Sequence, residues 1–239
     1  MMENLILKPI AHKMPKYREI AYQAIKDAIL SGQLGPNQPL VEEQLASMLQ
    51  ISRTPVREAM AILEYEGLIG PQGSRGLCVR TLTKKEFIEI FTANEIVEPD
   101  LARRAAHLVS EEQLQLLGEV VSRGRYYADE GNFNQFLRFG REFHRLLGIA
   151  AENDPLTEFI VRNEERVDLY LINAGKTSDI PTMQAANRQH EAILEALILR
   201  DPDEAAHRVI FHAQSVRQRF SDLFTDEAAA FQDDLDRIG

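Results

Sequence analysis

Apolar residues along most of this chain recur every three to four positions, which predicts a mainly α-helical protein. Tyr17, Ile20, Ala21, Ala24 and Ala28 mark a first amphipathic helix that stops at Ser31-Gly32, before a turn at Gly35-Pro36-Asn37. Leu45, Met48 and Leu49 face inward on a short second helix near 42–49. A third helix carries a stripe of Val56, Ala59, Met60 and Leu63, with Ser52 or Thr54 placed to accept its first free N–H groups. Pro55 is tolerated there because it sits in the first turn, and Gly67 falls where a left-handed cap would end the helix. The rhythm then changes. Leu68-Ile69, a turn over Pro71–Gly76 and Leu77–Thr81 read as a two-stranded wing. From Thr83 onward the helical period returns and no convincing strand appears.

Six helices are expected in that second part. Phe87, Ile90, Phe91 and Leu101 define one near 83–107, and Ser110-Glu-Glu-Gln113 is a capping box opening the next, with Leu114, Leu117 and Val121. Phe133, Phe136 and Leu137 begin a helix that runs to about Asn153; Phe159, Ile160, Val167, Tyr170 and Leu171 mark another. After a break over Gly175–Pro181, helices near 182–200 and 203–223 complete the set, and 225–239 form a last short helix or fray. Two domains follow, 1–82 and 83–239. Only about three residues join wing and bundle, which favours domains that touch.

Composition adds limits. Apolar residues make up 44% and charged residues 27%, ordinary for a soluble globular protein. No apolar run approaches the ~18–20 residues that span a bilayer. The N-terminus lacks a signal-peptide pattern, and Cys78 is the only cysteine, which fits a reducing cytoplasm. Net charge is −10, yet residues 1–82 hold nine basic and eight acidic residues (+1) against eighteen and twenty-nine (−11) in 83–239. A near-neutral head on an acidic body is compatible with a nucleic-acid partner, because only the groove-facing patch must be positive. On the third helix Arg53 and Arg57 lie one turn apart, off the apolar stripe, beside small Ala61. A helix start carrying two arginines can enter a major groove, with the guanidinium forks on guanine edges or phosphates.

At these residues a family resemblance enters. The run from Gly32 through LGPNQPLVEEQLASMLQISRTPVREAMAILEYEGLI to GSRGLCV resembles the winged helix-turn-helix of the GntR family of bacterial transcription regulators, most specifically in SRTPVREA. The resemblance implies DNA contacts by Arg53, Thr54 and Arg57 on the reading helix, and by Ser74, Arg75 and Gly76 at the wing tip near the minor groove. The chain departs from the pattern at Glu43, where many relatives carry an arginine in the second helix.

Three histidines in the second part fall on three helices, each on the apolar face: His144 with Phe136, Gly140 and Leu147; His190 with Met183, Ile193 and Leu197; His212 with Val209 and Val216. Neutral imidazoles converging in a dry interior suit Zn²⁺, Ni²⁺ or a similar cation. His12, His107 and His207 have no such setting. FHRLLGIAAENDP at 143–155, QHEAILEAL at 189–197 and His212 are similar to the all-helical C-terminal (FCD) domain of the FadR subfamily. That resemblance implies one divalent ion per chain on these histidines. It also exposes two departures: Gly140 stands where metal-binding members usually have an aspartate, and Asn94 where relatives often place an effector-binding arginine. Asn94 and Glu98 point inward one turn apart, and Asn163 points inward on the helix of Phe159 and Val167; these three are the candidate effector contacts.

The expected protein is therefore a cytoplasmic homodimer: a ligand-responsive repressor that binds a short pseudo-palindromic operator in double-stranded DNA and answers to a small-molecule effector. Two alternatives stand beside it. A metal enzyme could use an open position on the three histidines to activate water, but Glu98 is the single inward carboxylate the sequence offers as a base. A pure metal sensor would make the ion itself the signal.

Overall fold

A computed structural model describes residues 15–73, 76–173 and 179–221. They fall into two compact units, Met1–Ile29 with Asn37–Arg80, and Leu30–Pro36 with Thr81–Gly239. No described helix is long and apolar enough to cross a membrane.

The first unit holds α1 (Pro15–Leu30), α2 (Glu42–Leu49), α3 (Arg53–Tyr65), β1 (Ile69–Pro71) and β2 (Leu77–Val79). Val56, Ala59, Met60 and Leu63 are all buried, so the expected stripe on α3 is its core face. Ser52 occupies the N-cap position without a side-chain hydrogen bond, unlike the expected cap. Gly67 takes a φ of +79° just past the helix, and Leu68 N–H returns to Leu63 C=O, closing the left-handed ending that glycine permits. The strands pair antiparallel with Ile69 opposite Val79. Pro39 adds a bridge to Cys78 that the period did not reveal, so the chain before α2 extends the wing sheet.

Two inward faces differ from expectation. On α1 the buried row runs through Ala21, Ile25 and Ile29, while Tyr17 and Ile20 are 53% and 48% exposed. On α2 Leu45 and Ala46 are buried and Met48 is 77% exposed. A polar tie contributes to the setting of α1: Tyr22 and Lys26 both reach the Glu66 carboxylate beyond α3. Short or mixed helices leave more than one face plausible from apolar residues alone, and the neighbouring elements choose among them.

The second unit contains α4 (Lys84–Leu108), α5 (Glu111–Asp129), α6 (Phe133–Ala150), α7 (Asp154–Asn173), α8 (Ile180–Ile198) and α9 (Pro202–Ser221). Capping boxes start α4 at Thr83 and α5 at Ser110, each satisfying otherwise orphaned N–H groups. α6 ends at Ala150, three residues short of expectation. Two apolar clusters fill the unit. One gathers Leu101, Leu117, Phe143, Leu147, Ile193 and Val209; the other gathers Phe87, Phe91, Phe133, Phe136 and Met183. Residues 225–239, expected as a short helix or frayed end, lie outside the described residues.

Candidate functional site

The first candidate surface is the start of α3. Burial of Pro55, Val56 and Ala59 fixes the helix against its unit, which leaves Arg53, Thr54 and Arg57 exposed together. The Arg57 guanidinium meets Glu42 of α2 through Nε and Nη2, both at 2.9 Å, and Arg53 Nη2 approaches the same carboxylate at 3.4 Å. The pairing draws both arginines to one side of the helix start. It also lowers the Glu42 carboxyl below its usual range, chiefly through the Arg57 hydrogen bond. The first free N–H groups of α3 and its partial positive charge favour an anion at the same end. At the wing, Gly76 has a φ of +84° and open space around its Cα, so it answers a backbone requirement. Ser74 and Arg75 lie outside the described residues.

The second site lies inside the helical unit. His144 on α6, His190 on α8 and His212 on α9 are all buried and bring one ring nitrogen each to within 4.8 Å of the others. His190 Nε2 stands 3.2 Å from His212 Nε2, and the Phe143 ring stacks on His190 at 4.7 Å between centroids. Outer partners orient two of the rings. The Glu98 carboxylate takes the His144 Nδ1 side, and Gln189 Oε1 is 3.0 Å from His212 Nδ1. In His144 and His212 an outer oxygen takes the Nδ1 side, which leaves Nε2 on the side of the cluster, the orientation that metal-binding histidines use. A Cβ at Gly140 would come within 3.5 Å of His190 Cε1, so this glycine leaves space against the cluster. The donor set fits a borderline divalent cation held by nitrogen, with Glu98 supplying negative charge behind His144.

Burial and neighbouring charge set the protonation here. Burial disfavours a charged His144, yet Glu98 and Glu164 outweigh it and push its pKa up to about 9. His190 and His212 are held well below the usual histidine range, mainly by burial, with His144 adding repulsion.

A cavity of about 60 Å³ extends from the histidines along α7. Asn94, Glu98 and the histidines line it at one side; Phe91, Phe136 and Phe220 form apolar wall. Asn163 is not among the lining residues: its Nδ2 donates to Asn94 Oδ1 at 2.7 Å, and Asn94 Nδ2 donates to Glu164 Oε1 at 2.9 Å. Asn94, Asn163 and Glu164 thus form a chain of amides ending on a carboxylate.

A family model described as "Bacterial regulatory proteins, gntR family" matches residues 16–79, and one described as "FCD domain" matches residues 89–215. The chain belongs to the GntR family, with an FCD domain. A probable D-xylose utilization operon transcriptional repressor of Paenarthrobacter nicotinovorans is 31% identical, over 77% of this chain and 80% of its own. The HTH-type transcriptional repressor RspR of Escherichia coli K12 is 27% identical over 86% and 92%. Among solved structures, E. coli McbR/YncC superposes with a TM-score of 0.77 at 20% identity, covering 88% of this chain and 98% of that one. This GntR-family chain is therefore a DNA-binding transcription regulator. The enzyme alternative falls, because the family and its named relatives are regulators.

Against the sequence-based expectations, the structure brings Arg53, Thr54 and Arg57 together on one exposed helix start and the three histidines into one cluster. Asn94 and Glu98 line the cavity, while Asn163 stands behind Asn94. Four charged lining residues escaped the sequence: Arg141, Glu164, Asp168 and Arg219. α7 is buried nearly all round from Glu165 to Leu171, so its period could not mark which charges face inward. Burial first, with Glu164 and Glu165 adding to it and Arg141 opposing, raises the Asp168 carboxyl to about 7.

Proposed function

We propose that this regulator is a ligand-responsive repressor that works in the cytoplasm as a homodimer on a short pseudo-palindromic operator. Twofold symmetry in the protein calls for twofold symmetry in the site, with one reading helix in each half. Arg53 and Arg57 contact base edges or phosphates, Thr54 contacts phosphate, and the wing tip at Ser74, Arg75 and Gly76 follows the minor groove. A divalent cation, zinc or nickel, is held by His144, His190 and His212 and supplies a Lewis-acidic position for an oxygen-bearing effector in the adjoining cavity. The effector biases DNA binding only through different affinity for two arrangements of the protein.

The observation that carries the DNA-binding part is the exposed arginine pair at the start of α3, opposite a fully buried stripe. Its test is an operator selected from random duplex DNA, followed by titration with Arg57→Ala. Arg57 is exposed and its ion pair with Glu42 lies at the surface, where such pairs add little to stability, so the variant keeps its fold. Specific binding is expected to disappear while the melting temperature holds; unchanged operator affinity would refute the assignment. A second reading, a metal sensor, rests on the histidine cluster itself. An operator-binding curve that tracks free metal would favour it.

A further inference from the structure

A carboxylate beside the DNA-reading arginines needs a reason, because it repels the phosphates that such a surface must approach. Glu42 is that carboxylate. It is the first residue of α2, where the partial positive charge of a helix start favours it, and burial of Leu45 and Ala46 holds that helix in its unit. Its two oxygens take Nε and Nη2 of Arg57, each at 2.9 Å, in a bidentate pair. Arg53 reaches it only through Nη2, at 3.4 Å. The bidentate pair favours both charged forms: the Glu42 carboxyl falls below its usual range and the Arg57 guanidinium rises above its own, each chiefly through this hydrogen bonding. A guanidinium has two edges that can grip a pair of acceptors. Glu42 fills the side edge, Nε with Nη2, and no described residue engages the end edge, Nη1 with the second N–H of Nη2. The Arg57 side chain stays 64% exposed against 27% for Glu42, so the arginine is the outer member of the pair.

We infer that Glu42 is a specificity-determining residue of the reading head: it holds Arg57 so that the end edge reads O6 and N7 of a guanine in each half-site, and it keeps this arginine off the phosphates. The inference rests on the proposal that Arg57 contacts DNA. A guanine edge and a phosphate both offer two acceptors to a guanidinium, so shape alone does not choose between them. Charge does. Glu42 already compensates Arg57, which leaves the pair little net attraction for a phosphate. A phosphate on the end edge would also bring a second anion close to the carboxylate, whereas guanine O6 and N7 are neutral acceptors. A guanidinium held in advance loses less rotamer freedom on binding. Phosphates then fall to Arg53, tied to Glu42 by one long contact, and to other basic side chains of the head. Non-specific binding consists of phosphate contacts, so the same carboxylate suppresses it.

The test titrates the full chain with the selected operator and with a random duplex of equal length. Each operator guanine is replaced in turn by 7-deazaguanine, which pairs normally but lacks the N7 acceptor. In the parent, replacement at one guanine of each half-site is expected to weaken binding by about tenfold. Glu42→Gln keeps the side chain's length and an acceptor for Arg57 while removing the charge. In that variant the penalty at the same guanine is expected to shrink below about threefold, as affinity for random duplex rises and grows steeper in salt. Should Glu42→Gln melt early, Glu42→Asp is the second variant. It keeps the charge and shortens the reach, so it is expected to bind random duplex as weakly as the parent yet lose the guanine penalty. No sensitive guanine in the parent, or a full penalty retained in both variants, overturns the role of Glu42 while Arg57→Ala still abolishes operator binding. Operator and random duplex gaining affinity by one common factor would overturn it too, making Glu42 an electrostatic brake. Arg57→Ala binding as the parent does would instead remove the reading on which the inference rests.

Discussion

Glu98 and Asp168 show how one residue type serves two ends in the same interior. Glu98 backs His144 Nδ1 and, with a cation on the histidines, would stabilise that charge from behind. Metal analysis of protein purified without chelator is expected to return about one ion per chain, lost in His144→Ala. Glu98→Gln keeps an acceptor for Nδ1 but removes the charge; a metal-affinity loss of about tenfold, the low end for an outer partner, is expected in competition with a chromophoric chelator. Equal affinity would leave Glu98 a structural residue. Asp168 is different because its carboxyl rises to about 7 in the fold, against an ordinary value near 3.8. The folded chain then binds the proton more tightly than the unfolded one. Its contribution to stability is present below about pH 4 and is lost as pH rises toward 7. Asp168→Asn is expected to flatten that part of the melting-temperature profile; a profile parallel to the parent's would contradict the shift. The histidines were legible in sequence because each interrupts an apolar row. Glu164 and Asp168 were not, because α7 has hardly any outward face against which a charge looks misplaced.

At the scale of elements, the helices pack closely enough for glycine to matter. A Cβ at Gly148 on α6 would fall 2.5–2.9 Å from three side-chain atoms of Thr157 on α7. Thr157 is β-branched and its hydroxyl donates to Asn153 C=O at 2.7 Å, so it cannot easily give way. Gly118 on α5 is the contrast, its nearest neighbour being Leu194 Cδ2 at 3.9 Å. Gly148→Ala is expected to destabilise by roughly 1–3 kcal/mol despite better helix propensity, and Gly118→Ala to stabilise by about 0.5–1 kcal/mol. Chemical denaturation of the two variants reads both signs, and a stabilising Gly148→Ala would mean the α6–α7 contact is softer than its geometry. The element boundaries themselves were largely written in local chemistry: the Ser110 box, Gly67 and the Asn-Asp-Pro at the start of α7. What local chemistry did not settle was rotation. Tyr17 and Ile20 fit an amphipathic α1 as well as Ile25 and Ile29 do, and the latter were selected by packing.

For the whole molecule, charge and symmetry are the tests. A reading head near neutrality on an acidic body has little non-specific attraction for DNA, so in the proposed dimer operator binding would depend on a few arginines used twice. With two arginines from each protomer neutralising phosphates, raising salt from about 50 to 200 mM is expected to weaken binding by about a hundredfold, and light scattering to give twice the chain mass. A flat salt response would take the arginines off the phosphates.

The sequence by itself determined the helical class, the winged head, the family and the three histidines, because capping, period and a dense motif are local properties of neighbouring residues. The tertiary structure decided which face of α1 and α2 is inside, which nitrogen of each histidine is turned inward, and that Asn94 is held by Asn163 and Glu164. It also decided that Arg141, Glu164, Asp168 and Arg219 line the cavity beside the histidines. Those facts depend on residues as much as seventy positions apart being brought within a hydrogen bond of each other, and no periodicity within one helix encodes that distance.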